Sequence, residues 1–353
     1  MSTNELERLV AATLYEGYIL YPYRPSSVKN QVRWTFGGVH PRSWSDASGD
    51  TDPWIARTEC LLRDARGASV SIHVRFLQLV TRTVGRLDPC DTHDGDPPTS
   101  FQTVDDLRVG DVTYRGWEEA TERDIDCGTY ELGTLLADEA SVDANYPATA
   151  DTEELIGEDG RVHGLLMRVC EPLSAAVRVS AERVGPDLAK VSVTVLNTAA
   201  FDPSGEDARE RALRRSLVST HAILVAQGGE WLSLADPPAD AVVAASACRN
   251  TGLWPALVGE PGASDTVLAS PIILEDHPQV APESSGDLFD ATEIDEILSL
   301  RILTLTDDEK AEMRAADARA RALLERTESL TGDDLMRMHG TLRSVRPVVG
   351  QRR

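Results

Sequence analysis

Residues 60–76 read CLLRDARGASVSIHVRF, and this stretch decides the fold class. From Val70 to Phe76, apolar and polar residues alternate, which is typical of a β-strand with one buried face. Residues 60–62 form another apolar run, and Ala65-Arg66-Gly67 between the two runs has turn-forming residues. The stretch therefore predicts an antiparallel hairpin. After it, the apolar positions shift to Leu77 and Leu79, which indicates a bulge or a change in exposure.

The rest of the chain predicts further strands and then helices. Residues 177–181 and 191–195 also alternate, and Gly185-Pro186-Asp187 between them favours a turn. Thr306 and Glu309 have the spacing of a helix capping box. One apolar helix face follows it, formed by Met313, Ala316, Ala320, Leu323 and Leu324. We predict an α+β fold, with a β-rich body of antiparallel hairpins, compatible with two β layers, and a helical C-terminal segment.

Composition divides the chain into three regions. Residues 1–88 form a β-rich region that includes an aromatic and basic segment, after a short helix near residues 4–16. Residues 101–257 form a second β-rich region, and residues 258–345 combine a loop with helices. Residues 140–160 are acidic and poor in apolar residues, and residues 259–290 contain several prolines. Both stretches are therefore predicted to be loops.

Charge and cysteine content restrict the compartment and the partners. The chain has 58 acidic and 35 basic residues, a formal charge of −23, which disfavours nucleic acid and anionic membranes as partners. No apolar run reaches the ~18 residues of a membrane helix, and no signal peptide is visible at the N-terminus. The five cysteines are scattered and include no CxxC pair. These features predict a cytoplasmic protein with free thiols.

A basic and aromatic segment stands out in this acidic chain. Residues 15–42 read YEGYILYPYRPSSVKNQVRWTFGGVHPR. Arginine and aromatic side chains are enriched where proteins bind one another. The alternative is that the tyrosines pack in the core with their hydroxyl groups at the surface. The predicted partner-binding residues are Tyr21, Tyr23, Arg24, Lys29, Asn30, Arg33 and Trp34.

A second candidate site is acidic. Residues 275–293 bring several carboxylates close in sequence to one histidine, and Asp276, His277 and Asp287 would be the ligands of a divalent metal. No HExxH-type spacing is present, and helix caps or an exposed loop also explain these residues. Ser219 and His221 would share one strand face, but there is no GxSxG motif around a nucleophile. Nucleotide-binding glycine motifs are absent too, so we predict no catalytic residues and no cofactor.

Two segments carry a resemblance to a known family. They are residues 15–42, quoted above, and SPIILEDHPQVAPESSGDLFDATEIDEILSLRILTLTDDEK at residues 270–310. Together they resemble an uncharacterised family of bacterial proteins associated with gene clusters for [NiFe] hydrogenases. The resemblance implies an accessory role in assembling or supporting a hydrogenase, with a hydrogenase subunit or maturation factor as the partner. It assigns no chemistry to individual residues.

The sequence therefore predicts a non-catalytic cytoplasmic accessory protein that binds another protein. Two alternatives from other classes stay open. One is a metal-dependent hydrolase that uses the acidic and histidine-containing region 275–293. The other is a β-sandwich module that binds a ligand.

Overall fold

A computed structural model describes residues 3–16, 18, 37–49, 51–87, 101–278 and 295–333. Its longest element is strand β1, Ile55–Leu87, which belongs to an 11-stranded antiparallel sheet. The other strands are β2 (Phe101–Val104), β3 (Asp106–Val109), β4 (Val112–Arg115), β5 (Trp117–Glu131), β6 (Ala140–Tyr146), β7 (Thr149–Ile156), β8 (Val162–Cys170), β9 (Leu173–Arg183), β10 (Leu188–Asn197), β11 (Val218–Leu232), β12 (Trp254–Leu257) and β13 (Thr266–Ser270). β3 and β4 form a separate two-stranded sheet.

The described helices lie between the strands and at both ends of the described chain. They are α1 (Thr3–Leu14), α2 (Arg42–Ser48), α3 (Leu132–Ala137), α4 (Ala208–Leu213), α5 (Val242–Ala247), α6 (Asp295–Leu303), α7 (Asp307–Ala316) and α8 (Ala318–Ser329). The predicted fold class is confirmed, because the body is β-rich and antiparallel and the C-terminal part is helical. None of the described helices has the length and apolar character that crossing a lipid bilayer requires.

β1 organises the large sheet because it pairs with five other strands along its length. β10 pairs with its first residues and β11 with its middle; β5, β8 and β2 pair progressively closer to its end. The alternating side chains from Val70 to Phe76 point into the central hydrophobic cluster and are fully buried. The alternation in the sequence therefore marks a strand whose apolar face lies in the core.

The hairpin predicted around Ala65-Arg66-Gly67 is wrong. β11 runs beside both halves of β1 in one direction, with Leu61 opposite Leu232 and Ser69 opposite Gln227. The residues between form a bulge, in which Gly67 has a φ of 83°. A left-handed glycine serves a bulge as well as a turn, so the local sequence does not separate the two.

The predicted change of phase after Phe76 is confirmed. The pairing of β1 with β11 shifts between Arg75 and Leu77. Leu77 and Leu79 then pack in a second hydrophobic cluster, the helix cluster, together with residues of α7 and α8. β1 thus contributes apolar side chains to two separate clusters.

The predicted loop at residues 140–160 is wrong for most of its length. β6 pairs with β9, with Tyr146 opposite Leu173, and β7 pairs with β8, with Thr149 opposite Cys170. β7 is exposed at every position except Leu155. A strand with so little burial has no reason to alternate apolar and polar residues, so periodicity did not reveal it.

Of two other predictions about strands, one is confirmed and one is wrong. The hairpin of β9 and β10 is confirmed, since the two strands are antiparallel and flank Gly185-Pro186-Asp187. β13 lies inside the predicted loop 259–290, and that prediction is wrong for Thr266–Ser270. All five residues of β13 are buried, so they show no alternation.

The C-terminal helices pack on the sheet through the predicted apolar face. The capping box is confirmed, because the Thr306 hydroxyl accepts from the Glu309 N–H and the Glu309 carboxylate accepts from the Thr306 N–H. The face belongs to two helices, α7 and α8, which are separated at Asp317. Met313 and Leu324 are fully buried in the helix cluster.

Candidate functional site

The seven predicted partner-binding residues, Tyr21 to Trp34, lie outside the described residues. The structure does describe both ends of their segment. Tyr15 and Tyr18 precede it, and Gly37, Gly38 and Val39 follow it. The contacts at these two ends show which parts of the fold hold the segment.

The first end is held by aromatic packing and one buried carboxylate. Tyr15 and Tyr18 are each 2% exposed and meet edge to face, with ring centroids 5.3 Å apart. The Arg319 guanidinium of α8 lies 3.2 Å from the centroid of the Tyr15 ring. The Tyr18 hydroxyl donates a 2.9 Å hydrogen bond to the Asp317 carboxylate. These two tyrosines therefore pack in the interior, as the structural alternative predicted.

Asp317 joins three parts of the chain. Besides Tyr18, its carboxylate accepts from Trp117 Nε1 of β5 at 3.0 Å and from the Ala320 N–H at 2.8 Å. The last bond caps the N-terminus of α8. Because Asp317 is only 8% exposed, these donors replace the water that a carboxylate would otherwise bind.

A buried arginine holds the same junction from the other side. Arg82 of β1 donates to the carbonyls of Ala315 and Ala316, the last residues of α7. It also donates to the Glu119 carboxylate at 2.9 Å. A cation at a helix C-terminus complements the helix dipole, and the carboxylate offsets the cost of burying the charge. The break between α7 and α8 is therefore fixed to the sheet by two buried charges, the cation of Arg82 in β1 and the anion of Asp317 at the break itself.

The second end of the segment is held by β11. The Gly37 carbonyl accepts from the Thr220 N–H at 3.1 Å, and Val39 forms a backbone bridge with Leu217. Gly37 has a φ of 64°, and a Cβ atom there would lie 2.7 Å from the Pro271 side chain. Only glycine fits this position. The chain thus enters and leaves the segment at two fixed points.

Ser219 and His221 lie beside the second anchor. The His221 Nδ1 atom is 2.7 Å from the Ser219 carbonyl, and Ser219 has a left-handed φ of 49°. Among the described residues, the Ser219 Oγ and His221 Nε2 atoms have no hydrogen-bond partner. Both side chains are buried, so neither is open to a substrate. This arrangement does not support a nucleophile and base.

His221 makes the fold sensitive to acid. Burial lowers the pKa of His221 from 6.5 to about 4. Below about pH 6.5, the unfolded chain therefore binds a proton at His221 that the folded chain does not bind until the pH is near 4. The free energy of unfolding consequently falls as the pH drops below about 6.5. Because of His221, we expect the free energy of unfolding to be roughly 2–3 kcal/mol lower at pH 4.5 than at pH 7.

Urea unfolding at the two pH values measures this loss. On acidification from pH 7 to pH 4.5, the free energy of unfolding of a His221→Gln variant should fall by roughly 2–3 kcal/mol less than that of the wild type. His163→Gln is the matched control, because His163 is exposed beside Asp159. If His221→Gln and the wild type lose equal stability, His221 is not the acid-sensitive group.

Ser216, His40 and Asp52 form another group that contains a serine and a histidine. This group was not predicted from the sequence. The Ser216 Oγ atom is 2.9 Å from His40 Nδ1, and His40 Nε2 is 3.8 Å from the Asp52 carboxylate. The Ser216 hydroxyl donates instead to the Ala212 carbonyl at 2.8 Å, and Ser216 is fully buried. His40 is therefore no base toward this hydroxyl, and the three residues join the chain on either side of α2 to the end of α4.

The alternative metal site is only partly described. Asp276 accepts from the Ser233 hydroxyl and, at 2.8 Å, from the Leu257 N–H, while the His277 N–H donates to the Leu257 carbonyl. These bonds cover the outer edge of β12, which explains both residues without a metal. Asp287 lies outside the described residues. Within the described ranges, no three His, Cys, Asp or Glu side chains gather as ligands.

The described cysteines are poor nucleophiles. Cys60, Cys127, Cys170 and Cys248 are free thiols, and the first three are buried. Burial raises the pKa of Cys60 and Cys127 to about 12 and that of Cys248 to about 11. At neutral pH, these three thiols stay protonated.

The chain was also compared with known proteins. No family model matches it, and no curated protein matches it at a significant level.

Proposed function

We propose that the protein is a non-catalytic accessory protein that binds another protein through the segment between Tyr18 and Gly37. The observation that carries the proposal is the anchoring of both ends of this segment. Asp317 holds the hydroxyl of Tyr18, and the Thr220 N–H holds the carbonyl of Gly37. A segment fixed at both ends to the packed body of a protein is a common way to present binding residues.

The chemistry of the described residues favours binding over catalysis. The two serine and histidine pairs are buried, and Ser216 and His40 hold elements of the fold together. The Asp276 carboxylate is occupied by two donors. The segment itself combines aromatic residues with Arg24, Lys29 and Arg33 and has no acidic residue from 19 to 36. Such a composition suits a protein partner that offers carboxylates and apolar area.

We place this role in the assembly or support of a [NiFe] hydrogenase. This setting rests on the resemblance of residues 15–42 and 270–310 to the hydrogenase-associated family. The partner would then be a hydrogenase subunit or a maturation factor, and no cofactor is required of this chain.

The double variant Arg24→Ala with Arg33→Ala tests the proposal. We expect it to lose capture of a hydrogenase protein from native lysate, because a binding hot spot contributes about 2 kcal/mol per residue, or roughly 30-fold in affinity. Capture is measured by affinity purification and mass spectrometry, beside a thermal melt.

Arg108→Ala with Arg161→Ala is the matched control, because both arginines are exposed, Arg108 in β3 and Arg161 just before β8. The control should capture the same proteins as the wild type. The proposal fails if the Arg24 and Arg33 variant melts normally and captures every wild-type partner. Early melting would instead assign the two arginines to the fold.

A further inference from the structure

β7 has one open edge. It pairs with β8 on one side, and within the described ranges no strand pairs with its other side. Seven of its eight residues are exposed. Leu155 alone is buried, where it packs with Leu107 and Val109 of the β3–β4 sheet. The outer edge of β7 therefore presents backbone N–H and C=O groups in the geometry of a strand, and such an edge is a template for an added strand.

The charged side chains along this edge have one sign. Residues 149–160 contain five acidic residues and no lysine or arginine. Glu153 pairs with Arg168 of β8 at 2.8 Å, whereas Asp151 and Glu154 form no ion pair with any described side chain. If β7 of a second copy paired at the same edge, like charges would lie opposite each other, so self-association there is disfavoured. A strand of opposite charge would instead gain stability from the same arrangement.

The two faces of the sheet differ at this edge. Successive strand residues point to opposite faces, so Asp151 shares the face of Leu155, and Ile156 lies on the other face. Val169 of β8 pairs with Ala150 and therefore shares the face of Ile156. Ile156 is 60% exposed and Val169 is 38% exposed. A strand added to β7 would thus meet a carboxylate on one face and exposed apolar side chains on the other.

The geometry points to the outer edge of β7 as a binding site for an extended segment of a partner protein in which basic and apolar residues alternate. Backbone hydrogen bonds to β7 hold the segment as an added strand. Its basic side chains lie on the face of Asp151 and its apolar side chains on the face of Ile156, because alternation with a period of two separates them. The site goes beyond the proposed function, since β7 and β8 form it and the segment between Tyr18 and Gly37 is no part of it.

A synthetic peptide of alternating lysine and valine, with the eight residues of β7 and capped at both ends, tests the site. Its binding to the full chain is measured by fluorescence anisotropy at low salt, and hydrogen exchange followed by mass spectrometry locates it. The bound peptide should slow exchange in residues 149–156, because the added strand protects the N–H groups of the open edge. Asp151→Asn with Glu154→Gln should weaken binding about threefold to tenfold, since it removes two carboxylates from that edge.

Asp308→Asn with Glu325→Gln is the matched control variant, because it removes the same two kinds of charge from exposed positions on α7 and α8. It should bind the peptide as the wild type does.

Two control peptides of the same charge separate strand pairing from simple attraction. One is methylated at every backbone nitrogen and loses its strand hydrogen bonds, and the other has all lysines before all valines and loses the alternation. Both should bind about tenfold or more weakly than the alternating peptide. The inference is overturned if the alternating peptide does not bind, if it binds without slowing exchange in residues 149–156, if either control peptide binds equally well, or if the two charge variants bind it equally.

Discussion

Replacing Asp317 with alanine should lower the free energy of unfolding by roughly 3–5 kcal/mol. The change removes the Asp317 acceptor from the buried Tyr18 hydroxyl and from Trp117 Nε1, and each lost hydrogen bond costs about 1–3 kcal/mol. It also removes the cap of α8, which contributes about 1 kcal/mol. The nearby Arg82 keeps its charge but loses a compensating anion. Urea unfolding followed by circular dichroism gives the free energy directly.

Asp308→Ala is the matched control for Asp317, because Asp308 is exposed in the first turn of α7. We expect its effect to stay within about 0.5 kcal/mol. Tyr18→Phe completes a double-mutant cycle, in which Tyr18→Phe should cost little once Asp317 is alanine. Equal stability of Asp317→Ala and Asp308→Ala would show that the carboxylate does not hold α8 to the sheet.

Leu323→Asp should destabilise the protein by roughly 2–4 kcal/mol. Leu323 is 3% exposed and packs in the helix cluster with Leu77 and Leu79 of β1. The substitution removes apolar contacts and places a carboxylate within the apolar helix cluster. The melting temperature and the urea midpoint should both fall.

Leu300→Asp is the control with the same chemical change. Leu300 lies on α6 and is 44% exposed, so its replacement should cost less than about 1 kcal/mol. If Leu323→Asp unfolds at the wild-type midpoint, the α8 face is not packed as described.

Patterns that act over a few residues were predicted well from the sequence. The Thr306–Glu309 capping box, the turn at Gly185-Pro186-Asp187 and the shift after Phe76 all depend on neighbours close in the chain. Local geometry dominates such features, so local sequence carries them.

Other parts of the fold depend on what covers a strand. Gly67 lies in a bulge and not in a turn because β11 pairs with β1 on both sides of it. The residues next to Gly67 in the sequence do not encode this pairing. β7 is a strand although its surface is polar, and β13 is one although it is buried throughout. In both strands the two faces meet similar surroundings, so alternation is lost.

The anchors of the candidate site could not be read from the sequence for a related reason. Tyr18 and Asp317 are 299 positions apart in the sequence, and Arg82 and Ala316 are 234 positions apart. Each is an ordinary residue in its local context. The sequence pointed to the segment after Tyr18 by composition, but only tertiary structure brings together the residues that hold its ends.

The length of β1 has a consequence for the newborn chain. β5, the first long partner of β1, leaves the ribosome soon after it. β11 lies roughly 150 residues after β1 in the sequence. At about 5–20 residues per second, the edge that β11 will cover stays open for roughly 10–30 s. Pairings this distant in sequence also form slowly. During translation, β1 is therefore an open template for aggregation, and the polar residues Ser71, His73 and Arg75 on its other face help to keep the nascent chain in solution.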